Sequence, residues 1–217
     1  MSTRALAIRD AILIKLRAAS VGGVPSERIY SDLRQALHAS LRPAIAVDMG
    51  DEDAPTREYS KRRRAQAITV SIIEDAADPY TALDPIRIAV HARIMSQPTT
   101  YAVTSSTWSG GYLTCNVASA AGLMAGSSVA LTGMQTALNA TWPVYDIPTG
   151  ATSFRIAMAN PTLTDGVGTA TDVTLSALID SIEEGATSRE RADLDVPIGS
   201  LITTYLVRYT TSLEALT

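Results

Sequence analysis

The sequence is poor in the residues that most soluble chemistry needs. Among its 217 residues are one cysteine, Cys115, one phenylalanine and two histidines, His38 and His91. A single cysteine excludes an internal disulfide and suits folding in a reducing compartment. The histidines lack metal-ligand spacing of the H-E-x-x-H kind, and no P-loop, dinucleotide fingerprint or G-x-S-x-G elbow occurs. Asp165-Gly166-Val167-Gly168 reads as a turn, since the alternating carboxylates of a calcium loop are missing. Cys115 falls within a strand-like run, Tyr112–Val117, and reads as a small buried residue. No metal, no cofactor and no enzymatic activity are expected.

Long apolar runs are also missing. No stretch approaches the roughly 18 unbroken apolar residues of a membrane helix, so no membrane partner is expected. The opening MSTRALAIRDAILIKLRAA threads charges through its apolar positions and reads as an amphipathic helix, not a secretion signal. With 18 Lys and Arg against 22 Asp and Glu, the net charge of −4 lacks the basic excess that marks a nucleic-acid binder.

What is present is unevenly distributed. Residues 1–99 carry 14 basic and 12 acidic side chains, residues 100–174 carry Arg155 against Asp146, Asp165 and Asp172, and residues 175–217 carry three basic and seven acidic. The near-neutral middle, rich in Ser, Thr, Gly and Ala, marks a domain boundary. Its Tyr112, Trp142, Val144, Phe154 and Ile156 are core-type residues spaced as short strands. The expected organisation is a discontinuous domain of 1–99 plus 175–217, with a β-rich sandwich- or barrel-like domain of 100–174 inserted.

The outer parts are periodic. Ala5, Ile8, Ile12, Leu16 and Ala19 share one helical face, Ser2 or Thr3 can cap the start, and Gly22-Gly23 ends the helix. Strands are expected at Arg28–Tyr30, Pro43–Met49 and Ala67–Glu74. A charged loop, 50–64, separates the last two. A second helix opens at Asp78-Pro79 or, if Pro85 sets its first turn, at Asp84, and carries Leu83, Ile86, Val90 and Ile94 on one stripe. Leu178–Glu184 reads as a strand, 185–195 as a polar loop, and Ile202–Thr210 as the strongest strand of all. The expected class is α+β: an antiparallel or mixed sheet covered by two helices, with an all-β domain inserted.

The charged loop holds the candidate interaction residues. Asp51, Glu52 and Asp53 precede Lys61, Arg62, Arg63 and Arg64. Such a pairing of opposite signs suits contact between subunits better than contact with DNA phosphate.

Taken together, RALAIRDAILIKLRAA, ERIYSD, LRPAIAVDMGDED, RRRAQAITVSIIED, DPYTALDPIRIAVHARIM and LITTYLVRYTTS resemble the bacteriophage tail terminator proteins, also called tail completion or minor tail proteins. The resemblance covers about 1–98 and 177–217. It implies a ring, usually a hexamer, that caps the tail tube, stops its polymerisation and offers the head-to-tail connector or neck protein a docking surface. It implies a virion protein of the neck end of the tail, assembled in the bacterial cytoplasm, with DNA passing the lumen unbound. Another neck component, such as a head-closure protein, fits the same pattern. The middle resembles small β modules of phage structural proteins. It is expected to decorate the ring or to recognise a host-surface glycan, for which Trp108, Tyr112 and Trp142 are the aromatic candidates, unless they form its core.

Overall fold

A computed structural model describes residues 3–36, 39–53, 56–58, 61–75, 79–160, 166–192 and 198–212. In chain order the elements are α1 (Thr3–Arg17), β1 (Ile29–Tyr30), α2 (Leu33–Ala36), β2 (Ala44–Glu52), β3 (Thr56–Glu58), β4 (Lys61–Asp75) and α3 (Pro79–Met95). They continue with β5 (Thr100–Ser109), β6 (Tyr112–Val117), β7 (Ser128–Thr132), β8 (Thr141–Pro143), β9 (Ser153–Ala157), β10 (Gly168–Asp172), β11 (Ser181–Ala192) and β12 (Ile198–Ser212). Ser2, His38, Asp78 and Asp165, each given a place above, lie outside the described residues.

The expected α+β class, a sheet covered by two helices with an all-β domain inserted, is corrected by this architecture. Among the described residues 48% lie in strands and 22% in helices, and the strands form two six-stranded sheets, so the fold is β-rich. The physical reason is that strands occupy segments too charged to announce themselves. The expected loop 50–64 supplies the end of β2, all of β3 and the start of β4, and the expected loop 185–195 supplies most of β11. α3 starts at Pro79 and runs through an exposed Pro85, which costs it one main-chain hydrogen bond.

The chain forms two compact units, residues 1–96 with 178–217, and residues 97–177. In the first, the sheet order is β1-β2-β4-β12-β11, with β3 beside β4. Its spine is the antiparallel β4–β12 ladder, which runs without a break from Ile198↔Asp75 to Ser212↔Lys61. Strand alternation puts Ile68, Val70 and Ile72 of β4 on one face, with Leu201, Tyr205 and Val207 of β12 and Ile45 and Val47 of β2 across from them. All are buried. α1 packs on β2 and α3, and α3 packs on β4 and β12. They bring Ala5, Ile8, Ile12 and Leu16, and Leu83, Ile86, Val90 and Ile94, into the core. On the opposite face Ala44, Ala46 and Ile73 form a smaller cluster with Tyr30, Leu33 and Ile198.

In the second unit the order is β8-β7-β10-β5-β6-β9. The chain beyond β8 returns to β9, where Tyr145 N–H donates to Arg155 O at 2.7 Å and Arg155 N–H to Asp146 O at 3.0 Å. The sheet thus curls until its two ends meet, around Leu113, Cys115, Phe154, Ile156, Val129 and Leu131.

α1 ends at Arg17, so the expected stop at Gly22-Gly23 is corrected and Ala19 lies exposed beyond the helix; Gly22 instead turns the chain between the bridged Val21 and Val24. Its φ is +58°, and a Cβ there would lie 2.7 Å from the Ile86 Cα of α3. Gly22→Ala adds both a left-handed backbone penalty and a clash with main chain. The expected loss is about 2–4 kcal/mol of unfolding free energy, read by chemical denaturation.

Candidate functional site

The seven charged residues singled out in the sequence converge on one end of the first sheet. β2 loses its regular register between Met49 and Glu52, and Asp53 N–H rejoins the ladder by donating to Ala65 O at 2.9 Å. β3 then continues along β4, pairing Thr56 with Arg63, Arg57 with Arg62 and Glu58 with Lys61. On the other side of β4, β12 sets Tyr209 opposite Arg64, Thr210 opposite Arg63 and Thr211 opposite Arg62. The acidic and basic segments are therefore neighbours across strands, not successive parts of a loop.

Their environments divide them. Glu52 turns inward: its Oε1 accepts from Arg64 Nη1 at 2.6 Å and from the Tyr209 hydroxyl at 2.8 Å. Burial works to raise the Glu52 carboxyl, but the Arg64 guanidinium and the Tyr209 hydroxyl outweigh it and hold it below the ordinary glutamate range. Gln66, fully within the sheet, donates Nε2–H bonds to Gly50 O at 2.8 Å and Ala67 O at 2.9 Å and closes the irregularity from beneath. Asp51, Asp53 and Arg63 are exposed. The Lys61 side chain lies outside the described part.

Arg62 is the unusual member. Its Nε, the Nε of Arg64 and the Oγ1 of Thr211 are shielded from solvent and meet no hydrogen-bond partner among the described residues. Buried polar atoms are normally satisfied, and leaving one bare costs about 1–3 kcal/mol. The sheet end thus carries shielded donors on Arg62 and Arg64 beside the exposed carboxylates Asp51 and Asp53.

The other sequence candidates are structural. Cys115 is buried in the core of the second unit, and burial pushes its thiol up to about 12. It is a packing residue and not a thiolate nucleophile. His91 stacks on Tyr205, with ring centroids 6.2 Å apart, and its Nδ1 stands 3.1 Å from Glu184 Oε2, out of hydrogen-bonding alignment. Trp108 and Trp142 are half-buried and spend their indole N–H groups on Met158 O at 3.1 Å and Leu138 O at 3.0 Å. Tyr112 is half-buried as well, but unlike the two tryptophans it is not packed against the core cluster, and it stands beside Tyr145 and Arg155. The sequence reading gave those residues no role, although an Arg and an Asp nine residues apart stand out in a segment with almost no charge. Among the described residues no group of His, Cys, Asp and Glu could hold a metal, and no helix is long and apolar enough to cross a membrane.

Two outcomes follow from this geometry. Because the folded Glu52 carboxyl titrates below its unfolded value, it contributes stability that is complete above the ordinary glutamate pKa of about 4.3 and fades as the pH falls through the lower folded value. Glu52→Gln is expected to be less stable than the parent at pH 7, by roughly 1–3 kcal/mol, with the gap narrowing toward pH 3, as read by denaturant midpoints across that range. Cys115 is expected to resist alkylation by iodoacetamide at pH 8 in the folded protein and to react once guanidinium unfolds it, as read by mass.

No protein-family model and no curated protein matches this chain.

Proposed function

We propose that this chain is a structural subunit of a bacteriophage tail, a terminator that closes into a ring on the tail tube. In this reading the ring, a hexamer, stops tube polymerisation and gives the head connector or neck protein its docking surface. It sits at the neck end of the virion tail after assembly in the host cytoplasm, and DNA passes its lumen without specific contacts. The reading rests on the resemblance of 1–98 and 177–217 to that family. The observation that carries it to particular residues is the unspent donor set at the end of the β4–β12 ladder.

A ring needs a heterologous contact, in which one surface of a subunit meets a different surface of the next. A sheet end that holds shielded guanidinium donors in want of an acceptor is one half of such a contact. A carboxylate from the next copy would bring an acceptor to the Arg62 guanidinium, beside Thr211 at the end of the ladder. The inner Glu52–Arg64–Tyr209 bonds hold the site in place from behind, which fixes the geometry before a partner arrives.

The expected result is a ring of tube-like diameter by native mass measurement and negative-stain imaging, either alone or on purified tail tubes. Arg62→Glu, which places repulsion where the acceptor should dock, is expected to weaken assembly by at least about tenfold in concentration while the monomer keeps its fold. A protein that stays monomeric with and without tubes, or whose assembly ignores Arg62→Glu, would sink the proposal.

A further inference from the structure

We infer that the outer face of β5, β6 and β9 in the second unit binds a neutral carbohydrate, across Tyr145, Tyr112 and Arg155. Tyr145 is 51% exposed and lies against Tyr112, with ring centroids 4.7 Å apart and planes tilted by 41°. The Arg155 guanidinium sits 5.2 Å from the centre of the Tyr112 ring. It is locked there by a two-point pairing with Asp146, whose Oδ1 accepts from Arg155 Nε at 2.6 Å and whose Oδ2 accepts from Nη2. Next to Arg155 in register is Thr114, and one step along β6 is Asn116, both on the outward side of the sheet.

The chemistry of these groups selects the ligand. A sugar ring presents patches of C–H that lie well on an aromatic face, and adjacent hydroxyls that match the spacing of a carboxylate or guanidinium fork. Here the aromatic pair stands beside an Arg155–Asp146 pair whose facing edges are spent on each other, so that sugar hydroxyls would be met by Arg155 Nη1, which the pairing does not use, and by the outer lone pairs of Asp146, on a guanidinium already held in place. The surrounding positions carry hydroxyls and a side-chain amide, without the apolar centre that a protein interface needs. A polyanion is disfavoured, because residues 97–177 carry one basic side chain against three acidic. Trp108 and Trp142, the other aromatic candidates, are packed against the core of the unit, whereas Tyr145 is 51% exposed.

This inference concerns the second unit and does not rest on the ring: the ring is read by mass and by Arg62→Glu, the face by retention on carbohydrate. The test is native electrophoresis of the full chain through gels cast with dextran, galactomannan or yeast mannan, with heparin as the anionic control. Retardation is expected in at least one neutral gel. Tyr145→Ala is expected to reduce it by about tenfold in apparent Kd with an unchanged melting temperature, and Tyr145→Phe, which keeps the ring, to preserve it. Arg155→Gln is expected to reduce it as well. Mobility unaffected by all three neutral gels overturns the inference, as does retardation in heparin alone or retardation that Tyr145→Ala leaves intact. Loss of self-association in Tyr145→Ala, with no retardation in any gel, overturns it too and assigns the face to a protein contact.

Discussion

The first unit depends on one interaction, the ladder between β4 and β12. It joins fifteen residues to fifteen in unbroken antiparallel register, although the whole second unit lies between them in the chain. The cost of closing so long a loop grows only slowly with its length, and a ladder of this size offsets it many times over. Everything else in the unit is hung on that ladder. β2 and β3 extend one side, β11 the other, and the two long helices bury the apolar centre of its inner face. The strands are longer than the helices that pack on them require, and the surplus becomes the charged end.

That surplus explains why charge is handled so differently along one strand. Near the centre of β4, Ile68, Val70 and Ile72 face apolar partners and need no counter-charge. Toward its start the same face carries Gln66, Arg64 and Arg62 in succession, at growing distance from the core. The Gln66 amide nitrogen donates to main-chain carbonyls, Arg64 is half satisfied by Glu52, and Arg62 shows a shielded donor with no acceptor among the described residues. Hydrogen-bond satisfaction falls along the row with distance from the core. In the second unit the order is reversed. Its few charges close on one another, Arg155 on Asp146, and what is left facing solvent is an aromatic pair and hydroxyl groups.

How much of this the sequence disclosed follows from where each residue lies in the layers. α1 was legible because its face of Ala5, Ile8, Ile12 and Leu16 is buried to the last atom. The centres of β2, β4 and β12 were legible because half of their side chains are core. β11 was legible only at its start, 181–184, because the rest of this edge strand carries charges on both faces and shows no apolar alternation: Arg189 reaches Asp84 of α3 on one side while Glu190 stands on the other. β3 and the first residues of β4 were hidden by the same effect, and these omissions tilted the expected class toward helix. The charged cluster was found as a composition, but the sequence could not separate the inward Glu52 from the outward Asp51 and Asp53, since that depends on a break in strand register after Met49. Tyr145 and Arg155 were passed over because only the closing of the curled sheet brings them together.

The threading of the chain also reverses the usual order in which domains mature. During synthesis, residues 97–177 emerge with all of their strand partners before β12 exists, so the later unit can complete itself while the earlier one waits. Until then β4 stands as an open edge fifteen residues long, with its apolar centre bare. Four consecutive cations, Lys61 to Arg64, open that strand, and like charge of this kind is one way an open edge resists pairing with another copy.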